Sequence, residues 1–83
     1  MPNYECQEDT AAGLVRVRKE DDGLWSIYLD DRKWVSDFRQ PEWAVDAIAS
    51  VDFAFPDGVK FFGNSSVLDL SDNISDWRRV RIK

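Results

Sequence analysis

Between Leu24 and Ser50 the spacing of apolar residues changes from every second position to roughly every 3.6 positions, the periods of a strand and a helix. Trp25, Ile27 and Leu29 alternate with Leu24, Ser26 and Tyr28, which predicts a strand. Trp34, Ser36 and Phe38 alternate with Val35 and Asp37 in the same way. Asp30-Asp31-Arg32-Lys33 between them is a polar gap of hairpin length. Ala44, Ala47, Ile48 and Val51 then mark one face of a helix, widened by Trp43 and Val45. Pro41 suits the first helical position, Glu42 the positive end of the dipole, and Gln40 is the N-cap. Trp25, Ile27, Leu29 and Phe38 are expected to face this helix, with Tyr28 and Val35 on the opposite side of the sheet.

Upstream, Val15 and Val17 alternate with Leu14, Arg16 and Arg18, and Asp22-Gly23 is a hairpin signal. A three-stranded meander of 14–19, 24–29 and 34–38 therefore precedes the helix. Residues 1–12 hold few large apolar groups and no period, so they read as a flexible arm anchored by Tyr4. Downstream, Pro56-Asp57-Gly58 and Gly63-Asn64-Ser65-Ser66 are turns. Val59, Phe61 and Phe62 between them fit either a short strand or an aromatic loop over the helix end. Ser71-Asp72-Asn73 caps a single helical turn from Ile74 to Trp77. Residues 78–83 read as a last strand, with Val80 and Ile82 inward and Arg79, Arg81 and Lys83 outward. The expectation is one α+β domain over 13–83, an antiparallel sheet of four to five strands with one main helix on one face.

Composition narrows the chemistry. The chain has no His and a single cysteine, Cys6, so neither a disulfide within the chain nor zinc held by ordinary Cys/His ligation is expected. No His, one Cys in the expected arm and no Gly-rich phosphate loop leave no conventional nucleophile–base pair, and the chain reads as no enzyme, without cofactor or metal. Asp21-Asp22 and Asp30-Asp31 read as turn residues, and with Asp57 they lack calcium-loop spacing. No apolar run is long enough to span a membrane, and the first residues lack a secretory pattern. A soluble, cytoplasmic protein is expected.

The net charge of −5 is unevenly placed. Residues 1–76 carry 7 Lys/Arg against 16 Asp/Glu, whereas residues 77–83 carry 4 Lys/Arg and no acid. An acidic body disfavours general nucleic-acid binding. Two surfaces follow as candidates. Trp34, Trp43, Phe61 and Phe62 have the weakest claim on the core, and at least two of them are expected to share an exposed patch rimmed by Asp37 and Glu42. Such a patch suits a protein partner with apolar and basic groups. Arg16, Arg18, Arg79, Arg81 and Lys83 would form a basic stripe if the last strand lay beside the first of the meander. Pairing beside acids such as Asp37 would neutralise it, and that is the outcome expected.

Two resemblances add to this. Val15-Arg16, Gly23-Leu24-Trp25, Ile27, Phe38 and Pro41-Glu42 with Ala44 resemble the plant ethylene-response-factor type of DNA-binding domain over residues 14–50. That likeness implies a sheet whose Arg16, Arg18 and Trp25 read DNA. The Trp25-x-Ile27-x-Leu29 strand, the helix start Pro41-Glu42-x-Ala44-Val45-Asp46-Ala47-Ile48 and the closing Asn73-Ile74-Ser75-Asp76-Trp77 look like a group of small uncharacterised bacterial domains. This second likeness implies a fold and no activity. The reading is a small acidic protein-interaction module with an adaptor, immunity or inhibitor-like role. The alternative is a DNA-binding module that uses the basic residues of the first and last strands.

Overall fold

The structure, a computed structural model, describes residues 3–59 and 63–82. The candidates Phe61, Phe62 and Lys83 lie outside the described residues, as does all but Val59 of the segment 59–62, whose form as strand or loop the sequence leaves open. Five strands form one antiparallel sheet: β1 (Asn3–Thr10), β2 (Gly13–Lys19), β3 (Trp25–Leu29), β4 (Arg32–Phe38) and β5 (Arg78–Ile82). Their spatial order is β4-β3-β2-β1-β5. One helix, α1 (Pro41–Ser50), packs on one face, so the fold is α+β as expected.

Residues 3–10, expected as an arm, instead form β1, paired to β2 on one side and β5 on the other. Its inward-facing residues are Tyr4, Cys6 and Glu8, so it offers little apolar signal. A two-residue Ala11-Ala12 turn joins it to β2, tied by the Thr10 hydroxyl to the Gly13 carbonyl and by the Ala12 N–H to Thr10 Oγ1. Gly13 has a positive φ of 137°, and a side chain there would collide with the Asp30 carboxylate that accepts the Leu14 N–H at 3.0 Å. The next hairpin closes at Gly23 (φ 85°), with Asp22 Oδ1 accepting the Leu24 N–H at 3.0 Å.

Directly opposed residues share a face of a sheet. One row across four strands is Cys6, Val17, Ile27 and Val35, and the next is Glu8, Val15, Leu29 and Arg32. Cys6, Val15, Val17, Trp25, Ile27 and Leu29 form one buried cluster with Ala44, Val45, Ile48 and Trp77. The helix stripe is thus Pro41, Ala44, Val45 and Ile48. Ala47 is only half-buried, and Val51, expected on the stripe, is exposed because it ends the helix in an extended conformation.

Two bulges interrupt β4. Lys33 opposes Tyr28 while Val35 opposes Ile27, so two steps on β4 match one on β3; a second irregularity precedes Phe38. Asp37, with φ 73°, lies within that second stretch. The first bulge places Val35 on the helix side rather than on the opposite face. Beyond α1, Ser65 is buried and its hydroxyl bridges two strands of loop, accepting the Phe53 N–H at 2.8 Å and donating to the Val51 carbonyl at 3.0 Å. Asp52 accepts the Ser66 N–H and an Asn64 amide hydrogen, both at 3.1 Å, which hold its carboxyl below the ordinary carboxylate range. The turn at Ile74–Asp76 is capped by Asn73, which accepts the Ser75 N–H as expected.

Three substitutions test this packing by chemical denaturation. Ile48→Ala is expected to cost about 2–5 kcal/mol, from lost transfer energy and the cavity left behind. Ser65→Ala strands a loop N–H and is expected to cost about 1–3 kcal/mol. Asp31→Ala, in an exposed turn, should stay within about 0.5 kcal/mol. An unchanged midpoint for Ile48→Ala would exclude this helix stripe.

Candidate interaction surface

The sheet face away from α1 is uncovered by it, and both 3-10 turns (65–68 and 74–76) pack against α1. Register alone sets what this face carries. One row crosses all five strands as Arg78, Gln7, Arg16, Tyr28 and Lys33. A second row is Val80, Glu5, Arg18 and Ser26.

Tyr28 sits at the centre of the cations. The charged groups of Arg16, Arg18 and Lys33 lie 5.6, 5.7 and 5.9 Å from its ring centroid. Each is within the range where the ring quadrupole attracts a cation. The Tyr28 hydroxyl donates to Glu20 Oε1 at 2.9 Å, and Lys33 Nζ donates to Glu20 Oε2 at 3.1 Å. The hydrogen bond from Tyr28, with the help of Lys33, holds the Glu20 carboxyl below its ordinary value. Burial and the bond to Glu20 push the Tyr28 phenol up, and Glu20 likewise raises Lys33. All three groups are therefore held in one protonation pattern around neutral pH.

Glu5 is the unusual member. It is 4% exposed, beside Arg16 and directly opposite Arg18. Its Oε2 lies 3.5 Å from Arg16 Nε, yet neither atom makes a hydrogen bond, and Arg18 Nε is also buried without one. At the rim, Arg78 donates to Asp9 Oδ2 at 3.2 Å and Gln7 Oε1 at 3.0 Å. Arg16, Lys33 and Arg78 thus lie 3.5, 3.1 and 3.2 Å from Glu5, Glu20 and Asp9.

The expected sites fare differently. Arg16 and Arg18 share the open face, but β1 intervenes before β5, so the two strands are not neighbours and Arg16 and Arg18 are not joined to Arg79 and Arg81 in one stripe. β5 pairs not beside Asp37 but beside β1, which carries Glu5, Glu8 and Asp9, and Arg78 is neutralised there by Asp9. The inward and outward residues of β5 are also reversed: Val80 lies opposite Glu5 on the open face, and Arg79 lies opposite Cys6 and Arg81 opposite Tyr4 on the other. Arg79 stacks 4.7 Å over the Tyr4 ring, which gives the guanidinium a partner on that side. Trp25, which the DNA-binding resemblance groups with Arg16 and Arg18, is buried on the helix side.

Among the aromatic candidates, Trp34 is half-buried against Phe55 and donates its indole N–H to the Ala54 carbonyl at 2.7 Å. Trp43 is 53% exposed on α1. Of these two rings, only Trp43 is exposed. Cys6 is buried, and burial pushes its thiol up, away from the reactive thiolate. The sequence reading missed Glu5, Glu20, Tyr28, Lys33 and Arg78 as site residues. Tyr28 was already on the correct face; the missing signal was β1, which carries Glu5 and joins Arg78 to the row.

Tyr28→Phe removes the hydrogen bond that does most to lower the Glu20 carboxyl. A carboxyl with a depressed folded pKa contributes stability above its unfolded pKa, and that contribution is lost as pH falls through the folded value. NMR titration should therefore show the Glu20 midpoint moving upward in Tyr28→Phe, and the acid loss of this contribution narrowing. An unmoved midpoint would mean that the hydroxyl bond is not made in solution.

Searches of protein-family models, curated proteins and solved structures find no match to this chain, so its function is read from this geometry.

Proposed function

We propose that the protein is a small non-catalytic protein-interaction module and that the open sheet face around Tyr28 is its binding surface. The observation that supports this is Tyr28 set among Arg16, Arg18 and Lys33 and fixed by Glu20. Tyrosine and arginine are the side chains that most often anchor protein interfaces. Here they sit on a sheet and are tied to one another, so little conformational freedom remains to be lost on binding. A partner with an apolar group over Tyr28 and carboxylates at the rim complements this face.

The nucleic-acid alternative has less support. Phosphate binding gains from neutralising several cations together. On this face Glu5, Glu20 and Asp9 already neutralise Arg16, Lys33 and Arg78 in turn. Arg79 and Arg81 lie on the other side of β5. No described helix is long and apolar enough to cross a membrane. A cytoplasmic setting suits a lone thiol held buried.

The test is capture on the immobilised protein, with and without nuclease, for wild type and for Arg18→Ala and Tyr28→Ala variants whose fold is checked by circular dichroism. A protein retained after nuclease treatment and reduced at least about tenfold by Tyr28→Ala is expected, as for a central interface residue. Capture that disappears with nuclease would favour the DNA-binding alternative. Nuclease-resistant capture indifferent to both substitutions would move the binding surface elsewhere.

A further inference from the structure

The two edges of the sheet are unlike. β4 is broken by two bulges and carries Asp37 at positive φ, which spoils the regular row of N–H and C=O groups that a new strand needs. β5 pairs with β1 in unbroken register from Gln7–Arg78 outward, so its far edge keeps the regular geometry of a strand. Arg78, Arg79 and Arg81 are exposed there, with Val80 half-buried between them. We infer that the outer edge of β5, which no described strand pairs, takes an extended acidic segment of another protein as a sixth strand.

Charge decides the occupant. A second copy pairing antiparallel about Val80 would set Arg79 directly against Arg81 twice, and like charges directly opposed destabilise a pair. A parallel self-pair would also line arginines against arginines. An acidic strand reverses the sign: carboxylates opposite Arg79 and Arg81, with an apolar residue opposite Val80, satisfy all three positions. Arg78 is already held by Asp9 and Gln7, and Arg79 is stacked on Tyr4, so two of the guanidiniums are placed before a partner arrives. Main-chain pairing supplies affinity and the alternating side chains supply selectivity. The same arginines would otherwise act only as edge charges that prevent strand pairing.

Fluorescence anisotropy of a labelled eight-residue Ser/Thr peptide with a central Glu-Val-Glu, titrated with the whole protein, tests this. The peptide is expected to bind, and a Lys-Val-Lys counterpart about tenfold or more weakly, as two cross-strand pairs change sign. Two further peptides carry N-methyl groups on alternate residues, one for each set of amides. One should lose binding and the other keep it, because only alternate amides of an added strand face the sheet. An Arg79→Glu/Arg81→Glu protein should exchange its preference to the Lys-Val-Lys peptide, and Arg18→Ala should bind like wild type, which separates this edge from the open face. Equal binding of both methylated peptides would show charge attraction without strand addition and overturn the inference. Absence of Glu-Val-Glu binding at low salt would leave the arginines as edge guards, and dimerisation lost in Val80→Pro would assign the edge to a second copy. Either result would also overturn it.

Discussion

The placement of β1 between β2 and β5 constrains everything else on this sheet. With Cys6 opposite Val17 and Arg79, the strand turns Tyr4, Cys6 and Glu8 toward α1 and Glu5, Gln7 and Asp9 away from it. A slip of one residue would exchange those sets. Glu5 would then enter the layer of Val17 and Ile27, where an ionised carboxylate costs several kcal/mol unless fully paired. That burial, together with the loss of Cys6 and Tyr4 from the apolar side, disfavours the slipped register. The same choice draws up the two rows of the open face and brings β5 to the edge.

Glu5 shows how the chosen register also carries a cost. Its carboxylate is nearly fully buried against Arg16, and the polar atoms that face each other there are not hydrogen-bonded. Such a pair adds little net stability, because desolvation offsets most of the attraction. Loss of one partner is a different matter, since it would leave the other charge buried and unmatched. The group therefore resists single changes while contributing little to the fold, as expected where polar groups are retained for recognition.

How much of this was legible depends on where the signal lies. α1 could be read because Pro41, Ala44, Val45 and Ile48 repeat at helical spacing, and the Asp22-Gly23 hairpin because glycine suits its positive φ. β1 was not legible: most of its residues are polar and its turn is Ala11-Ala12, without a conventional turn signal. Alternation failed within β4, since the first bulge moved Val35 to the helix face, and the second irregularity leaves Phe38 opposite Trp25 on the expected side. At β5 the error was one of chemistry. Val80 and Ile82 read as inward by hydrophobicity, but Arg79 has an aromatic ring to lie on and Val80 is opposite the aliphatic stem of a buried glutamate. The open-face site was legible only in part, as Arg16, Arg18 and Tyr28 on one side, because its completion depends on β1.

Net charge is a poor guide to what such a protein attracts. Between Glu42 and Asp76 the chain has seven carboxylates, Glu42, Asp46, Asp52, Asp57, Asp69, Asp72 and Asp76, against the single base Lys60. Those seven belong to α1 and the segments that follow it, whereas Arg16, Arg18, Lys33, Arg78, Arg79 and Arg81 belong to the strands. The acid excess of the whole chain thus comes from the helix and loops, while the strands hold most of the cations. At physiological ionic strength charges are screened beyond about 8 Å, so an approaching group responds to the local set rather than to the total. An acidic segment repelled by the chain as a whole can still be attracted at β5, and a basic one at α1 beside the exposed Trp43. Charge sets on different elements would orient a charged partner of the proposed kind as it approaches, an effect on association rate more than on final affinity.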